Sequence, residues 1–277
     1  MKVVLADHAG ACYGVQRALD LADAALREDE TAYTLGPLIH NPQVVASLAQ
    51  RGARVVEQAD QVDGGTVIVR SHGVTPQERA ELERRAEKVV DATCPHVARA
   101  QKAAAKLAEL GCVLVVGEPG HPEVAALREY ARAAGARVHV VLDPADLPAD
   151  LPACVGVVVQ TTQRAETLRA VMDALEQRGI RTQVKDTICA ATTERQAAAE
   201  KLATQVDAMV VIGGKNSSNT TRLAEICALH CSRTFHVESA AEVHAALFAD
   251  GDTVGVTAGA STPEDQITSV VNALRRL

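Results

Sequence analysis

Short runs of Val, Ile and Leu alternate along the chain with longer Ala- and Leu-rich stretches whose apolar residues recur every three or four positions. That pattern predicts buried strands alternating with amphipathic helices, and therefore parallel sheets with helices against them. It also recurs three times. CYGVQRALDLADAAL from Cys12, CPHVARAQKAAAKLAEL from Cys94 and CAATTERQAAAEKLA from Cys189 each place a cysteine at the opening of a helix. The last two follow DATC and DTIC, so a short strand is expected to deliver the cysteine to the helix start.

After each of these helices comes an extended apolar stretch that stops at glycine: YTLG at Gly36, VLVVG at Gly117 and MVVIGG at Gly213 and Gly214. The interval from cysteine to glycine is nearly constant, at 24, 23 and 24 residues to Gly36, Gly117 and Gly213. A polar loop and a second helix follow. A third segment also repeats, as GGTVIVRSHGVTPQERAELERR, ACVGVVVQTTQRAETLRAVMDAL and DTVGVTAGASTPEDQITSVVNAL, each a strand, a small polar loop and a helix. The chain is thus expected to be α/β, built from β-α-β-α-β-α units at 12–93, 94–188 and 189–277, with an N-terminal strand in 1–11 joined to the third.

Composition sharpens this picture in a few places. Hydrophobic residues make up 47% of the 277, aromatics only 2%, and Trp is absent, so the core must be packed from Ala, Val, Leu and Ile. A net charge of -7 with no basic run speaks against nucleic acid as a partner. The apolar run before Asp7 is too short for a signal peptide, and no stretch approaches the roughly 18 apolar residues of a membrane span. Seven cysteines, an odd number without a close CxxC pair, fit a reducing compartment; a cytoplasmic location and no membrane partner are expected.

A lone free cysteine usually packs as a small hydrophobe, and that is the reading for Cys112, Cys154, Cys227 and Cys231. Cys12, Cys94 and Cys189 are different, because they occupy matched positions. Three thiolates without a fourth make a poor structural zinc site. They suit an iron-sulfur cluster, one iron of which is then left open to a substrate. If the three units surround a pseudo-threefold axis, the strand ends and these cysteines converge on one cavity.

The remaining candidate chemistry also lies at strand ends, where ligands of parallel sheets bind. His40, Asn41, Ser71 and His72 stand there in the first unit, His121, Glu123, Thr161 and Thr162 in the second, and Lys215 to Asn219 with Ser261 in the third. SSN alone is an ordinary helix-capping cluster. Together with the histidines it forms a set of hydrogen-bond donors with few fixed charges, suited to a phosphate or diphosphate.

These residues carry a resemblance. ACYGV around Cys12, LIHN, SHGV, DATCP, GHPEV, QTT, TICAATTERQ, GKNSSNTTRLAE and TAGAST together resemble the 4-hydroxy-3-methylbut-2-enyl diphosphate reductase family, the LytB/IspH enzymes of the non-mevalonate isoprenoid pathway, over practically the whole chain. The resemblance implies a three-domain trefoil around a central 4Fe-4S cluster, and reductive removal of the substrate hydroxyl to give isopentenyl and dimethylallyl diphosphates. It implies Cys12, Cys94 and Cys189 as cluster ligands; His40, His72, Ser217, Ser218, Asn219 and Ser261 around the diphosphate; His121 and Thr161 near the substrate hydroxyl and its proton relay; and Glu123 as proton donor. A ferredoxin or flavodoxin would supply the electrons.

The chain departs from the family pattern at Asp7 to Ala11, where an Arg and an aromatic are usual, at Ala126 in place of Gly, and at Arg99 in place of Lys. A divergent paralogue, serving as a non-catalytic iron-sulfur sensor or acting on another phosphorylated ligand, is the alternative. A sensor needs only the cysteines, so Glu123, His121 and Thr161 favour the enzyme.

Overall fold

The computed structural model describes residues 1–29 and 31–277. The chain opens with β1 (Lys2–Leu5) and α1 (Tyr13–Glu28), followed by β2 (Ala32–Leu35), α2 (Pro42–Gln50), β3 (Ala53–Val56), β4 (Thr66–Val69), α3 (Pro76–Arg85) and β5 (Lys88–Asp91). Next come α4 (Pro95–Leu107), β6 (Cys112–Val116), α5 (Pro122–Ala133), β7 (Arg137–Val141), β8 (Cys154–Val159), α6 (Ala165–Gln177) and β9 (Arg181–Lys185). The last stretch holds α7 (Ala190–Ala203), β10 (Ala208–Ile212), α8 (Ser218–His230), β11 (Thr234–Val237), β12 (Thr253–Ala258) and α9 (Glu264–Arg275).

These strands form three four-stranded sheets, ordered β3-β2-β4-β5, β7-β6-β8-β9 and β11-β10-β12-β1. All pairings are parallel. The three orders are one topology repeated, and in each the strand that precedes a cysteine is an edge: β5 before Cys94, β9 before Cys189 and β1 before Cys12. The sequence pattern predicts three strands in each unit and misses the fourth, β3, β7 or β11. These are the opposite edges, four or five residues long and only partly buried. Without two covered faces they lack the continuous apolar run that marks a central strand.

Compactness divides the chain into two units, Met1–Val15 with His40–Val45 and Ala190–Leu277, and Gln16–Ile39 with Ala46–Cys189. The first contains the sheet built on β10, whose five residues are all buried. Met209 and Val211 pack with Ala199, Leu202, Leu223 and Cys227 of α7 and α8, while Val210 and Ile212 pack with Ile267, Val270 and Leu274 of α9. The period-two alternation of a strand thus feeds both faces. The second unit repeats the plan on β6: Val113 and Val115 meet Leu107 of α4 and Leu127 of α5, and Leu114 and Val116 meet Val171 and Leu175 of α6. Each such fully buried side chain stabilises the fold by about 1.5–3 kcal/mol. Leu35, Val67, Val69 and Leu82 form the core of the remaining sheet.

This strand order has a functional consequence. In each sheet the chain reverses direction of winding between the first and third strands, and the crevice beyond their carboxyl ends is where open parallel sheets bind ligands. The loops leaving those strands are the ones that contain His40, His72, His121, Thr161, Ser217 and Ser261. At β10 the turn depends on glycine: Gly213 has φ 142°, and a Cβ there would lie 2.7 Å from Thr262 Oγ1 and 2.8 Å from Thr220 Oγ1.

Candidate active site

One backbone hydrogen bond recurs at all three matched cysteines. The N–H of Cys12 donates to the carbonyl of Ala260 (3.1 Å), that of Cys94 to Ser71 (2.9 Å) and that of Cys189 to Thr161 (3.0 Å). Each acceptor stands two residues past the third strand of its sheet. The cysteines are thereby fixed beside the ligand-binding ends of the strands, half-buried, with helices starting just after them. Cys112, Cys227 and Cys231 are instead buried in the cores, and burial pushes the Cys227 thiol up to about 12. Each of the three half-buried thiols is a soft donor of the kind that iron-sulfur chemistry uses, and the core thiols are not so placed.

In the unit formed by Gln16–Ile39 and Ala46–Cys189, Glu123 lies in the first turn of α5 with 1% of its surface exposed. Thr161 holds it twice: its N–H donates to Oε1 (2.6 Å) and its hydroxyl to Oε2 (2.8 Å). Both bonds favour the carboxylate, yet burial outweighs them and pushes the acid up to about 7. His121 is the N-cap of the same helix, its Nδ1 accepting the N–H of Glu123 at 3.1 Å. A ring that accepts at Nδ1 carries its proton on Nε2 when neutral, leaving that nitrogen as a donor. The His72 ring meets His121 edge to face, with centroids 5.4 Å apart. Glu123, His121, Thr161 and His72 are therefore gathered in one unit, together with Cys94 and Cys189.

The other unit gathers Cys12, His40, Ser217, Ser218, Asn219 and Ser261. Ser217 caps α8, its Oγ accepting the N–H of Thr220 (3.4 Å), which leaves its own hydroxyl proton to give away. Asn219 is 4% exposed, and neither its Oδ1 nor its Nδ2 has a hydrogen-bond partner among the described residues. Buried amides are rarely left so, because an unmet polar atom costs about 1–3 kcal/mol. The first turn of α8 adds backbone N–H donors. Lys215, the cation of this loop, is exposed and paired with Glu242 (2.9 Å), so the donors that remain are largely neutral. Among the described residues, no helix is long and apolar enough to cross a membrane.

The LytB protein family model matches residues 3–275. The chain belongs to the LytB family. It is 48% identical over 277 residues to the 4-hydroxy-3-methylbut-2-enyl diphosphate reductase of Trichlorobacter lovleyi, covering 99% of this chain and 98% of that one. With the reductase of the same name from Pelobacter propionicus it shares 47% over 277 residues, again covering 99% and 98%. A solved structure of (E)-4-hydroxy-3-methyl-but-2-enyl diphosphate reductase, described as the terminal enzyme of the non-mevalonate pathway, matches at 40% identity with a TM-score of 0.73 over 100% of both chains. The E-1-hydroxy-2-methyl-but-2-enyl-4-diphosphate reductase from Plasmodium falciparum matches at 26% identity with a TM-score of 0.89, over 99% of this chain and 87% of that one.

Two arginines of this LytB chain support the cysteine loops: Arg195, inside the TICAATTERQ motif, and Arg17, outside the quoted motifs, neither of them among the candidate site residues. Arg195, 3% exposed, donates to the carbonyls of Gly10 (2.7 Å) and Ala191 (3.0 Å) and so braces the segment that leads to Cys12. Arg17 does the same before Cys94, reaching the carbonyls of Thr93 (3.2 Å) and Asp91 (3.3 Å). The segment before Cys189 is tied by Thr187, whose hydroxyl accepts the N–H of Val159 at 3.0 Å and bonds back to its carbonyl. The sequence signal for Arg17 is a charge soon after a cysteine in an Ala-rich helix, and Arg195 adds to that its place in TICAATTERQ. Of the departures from the LytB pattern, Ala126 is fully buried and Arg99 is exposed.

Proposed function

We propose that this chain is a 4-hydroxy-3-methylbut-2-enyl diphosphate reductase, an oxidoreductase that removes the allylic hydroxyl and yields isopentenyl and dimethylallyl diphosphates. Two electrons and two protons convert the alcohol to the alkene and water. Cys12, Cys94 and Cys189 would hold a 4Fe-4S cluster, which when bound supplies electrons singly and an open Lewis-acidic position. A ferredoxin or flavodoxin would deliver the electrons, and cysteines that form no disulfide suit the cytoplasm.

The observation that carries the reading is Glu123. A carboxyl group poised near neutrality, sheltered from water and held by Thr161, is what protonation of a departing hydroxyl requires. Once Glu123 is protonated, its 2.8 Å contact with the Thr161 hydroxyl can run in the opposite sense and offer a one-step relay, in which Glu123 gives a proton to Thr161 Oγ1 as Thr161 passes its own on. Nε2–H of His121 would orient the oxygen that leaves. His40, His72, Ser217, Ser218, Asn219 and Ser261 would hold the diphosphate, supported by the unmatched amide of Asn219. A sensor built on the same cysteines would have no use for a carboxyl whose burial works against folding at neutral pH. The deciding assay supplies hydroxymethylbutenyl diphosphate and a chemically reduced dye to anaerobically purified protein; an intact cluster without turnover would overturn the proposal.

Two further outcomes are expected. Asn219→Ala or His40→Ala should raise KM and weaken inhibition by free diphosphate about tenfold to a hundredfold with iron content retained, since each lost bond to a charged group costs about 1.5–3 kcal/mol. Smaller effects in both variants would move the diphosphate elsewhere. The pH dependence follows from an acid whose folded pKa, about 7, stands above its ordinary 4.5. Its buried form is tolerated fully below pH 4.5, and stability is lost as pH rises through 7. Relative to Glu123→Gln, the parent should lose about 3 kcal/mol across that window in denaturant titrations. Its kcat should also fall about tenfold per pH unit above neutrality, because the general acid must be protonated.

A further inference from the structure

We propose that Asn41 is a positioning residue for the diphosphate site, clasping Ser261 and Gln266 with its amide and so fixing His40, its chain neighbour, beside the serine loops. The inference rests on the diphosphate reading given above. Asn41 is 1% exposed, and its two ends do different work. Oδ1 accepts the N–H groups of Gln43 (3.1 Å) and Val44 (3.2 Å) and caps α2. Nδ2 donates to the carbonyl of Ser261 (2.8 Å) and to Oε1 of Gln266 (2.9 Å).

Gln266 can face Asn41 in only one orientation. Its Nε2 donates to the carbonyl of Glu238 (2.5 Å), an oxygen that also receives Nε2 of Gln43 (2.8 Å), so Oε1 is the end left for Asn41. Ser261 closes the circuit, its hydroxyl donating to the carbonyl of His40 at 3.1 Å. The GKNSSN loop packs on that same oxygen: a Cβ on Gly214 would come within 2.7 Å of it. The Ser261 loop and the residue before Asn41 are therefore held by one buried amide pair, and the GKNSSN loop packs against the same carbonyl of His40. Because Asn41 grips the backbone of Ser261, the hydroxyl can turn from His40 to a phosphate oxygen without the loop moving.

The cap and the clasp can be separated by substitution. Asn41→Ser keeps an oxygen for α2 but is too short to reach Ser261 or Gln266. Calorimetry with inorganic diphosphate on the anaerobically loaded protein should then show affinity about fivefold to twentyfold weaker. KM for the substrate should rise in step while kcat changes by less than about twofold. Asn41→Asp, which also caps α2 but sets a carboxylate against two acceptors, should lose more. Gln266→Met, which removes the clasp partner and leaves the cap untouched, should show the same KM effect, and it decides the matter if Asn41→Ser does not fold. Parental affinity in Asn41→Ser and Gln266→Met, or a loss confined to kcat, would overturn the inference and spare the diphosphate reading. A parent that does not bind diphosphate would overturn both.

Discussion

Glu123→Gln is expected to lower kcat by about 10²- to 10⁴-fold, the usual contribution of general acid catalysis, with iron content and diphosphate affinity preserved. The substitution is close to isosteric, and the surroundings tolerate it for a specific reason. The N–H of Thr161 continues to donate to Oε1, and the Thr161 hydroxyl, which now donates to Oε2, can rotate to accept from the amide that replaces it. Burial of an ionisable group is relieved at the same time, so the variant should be at least as stable as the parent above pH 7. A slow, well-folded, fully loaded enzyme is the signature of a missing proton. The ordinary role for a glutamate in a first helical turn is to complement the helix dipole from the surface, worth a few tenths of a kcal/mol to about 1 kcal/mol. Under that role the variant would turn over like the parent, and the pH dependence of the two would coincide.

Much of this architecture is readable from residue patterns, because the same solution is written three times. The cysteine that opens each helix, the nearly constant interval to Gly36, Gly117 and Gly213, and the Val-rich central strands are local signals that a period of two or of 3.6 makes visible. Sheet edges carry no such signal. RVHVV in β7 has one exposed, two half-buried and two buried positions in no period-two order, so no polar-apolar contrast separates it from the end of the preceding helix.

The candidate site divides in the same way. Residue types and loop positions mark Glu123, His121 and Asn219, but their environments do not follow from type: GHPEV also permits a surface glutamate, and only the packed fold buries it. Asn41 and Gln266, 225 residues apart, and Arg195 and Gly10, 185 apart, act through contacts that no local window contains. Asn41 is visible only as a polar residue beside His40, and its hold on Ser261 depends on tertiary structure.

Replacing Cys12, Cys94 or Cys189 by Ser is expected to abolish or cripple cluster assembly, reducing bound iron and visible absorbance to a small fraction of the parent. A hydroxyl is a hard, weakly acidic donor where iron-sulfur chemistry requires a soft thiolate, so the change removes a ligand without altering side-chain volume much. Each of the three is anchored through its backbone N–H, to Ala260, Ser71 and Thr161, and Ser retains that bond, so loss of iron would report on the side chain rather than on a displaced loop. The contrast lies with the other four. Cys112 and Cys227 are packed in sheet and helix cores, and a thiol pushed up to about 12, as at Cys227, stays protonated at neutral pH and cannot serve as a thiolate ligand. Replacing Cys112, Cys154, Cys227 or Cys231 by Ala should therefore leave iron per chain at the parental level, even where a small core cavity costs about 1 kcal/mol of stability. Equal iron loss across both groups would mean that the thiols act through folding rather than ligation, and the assignment of three ligands to three matched loops would have to be given up.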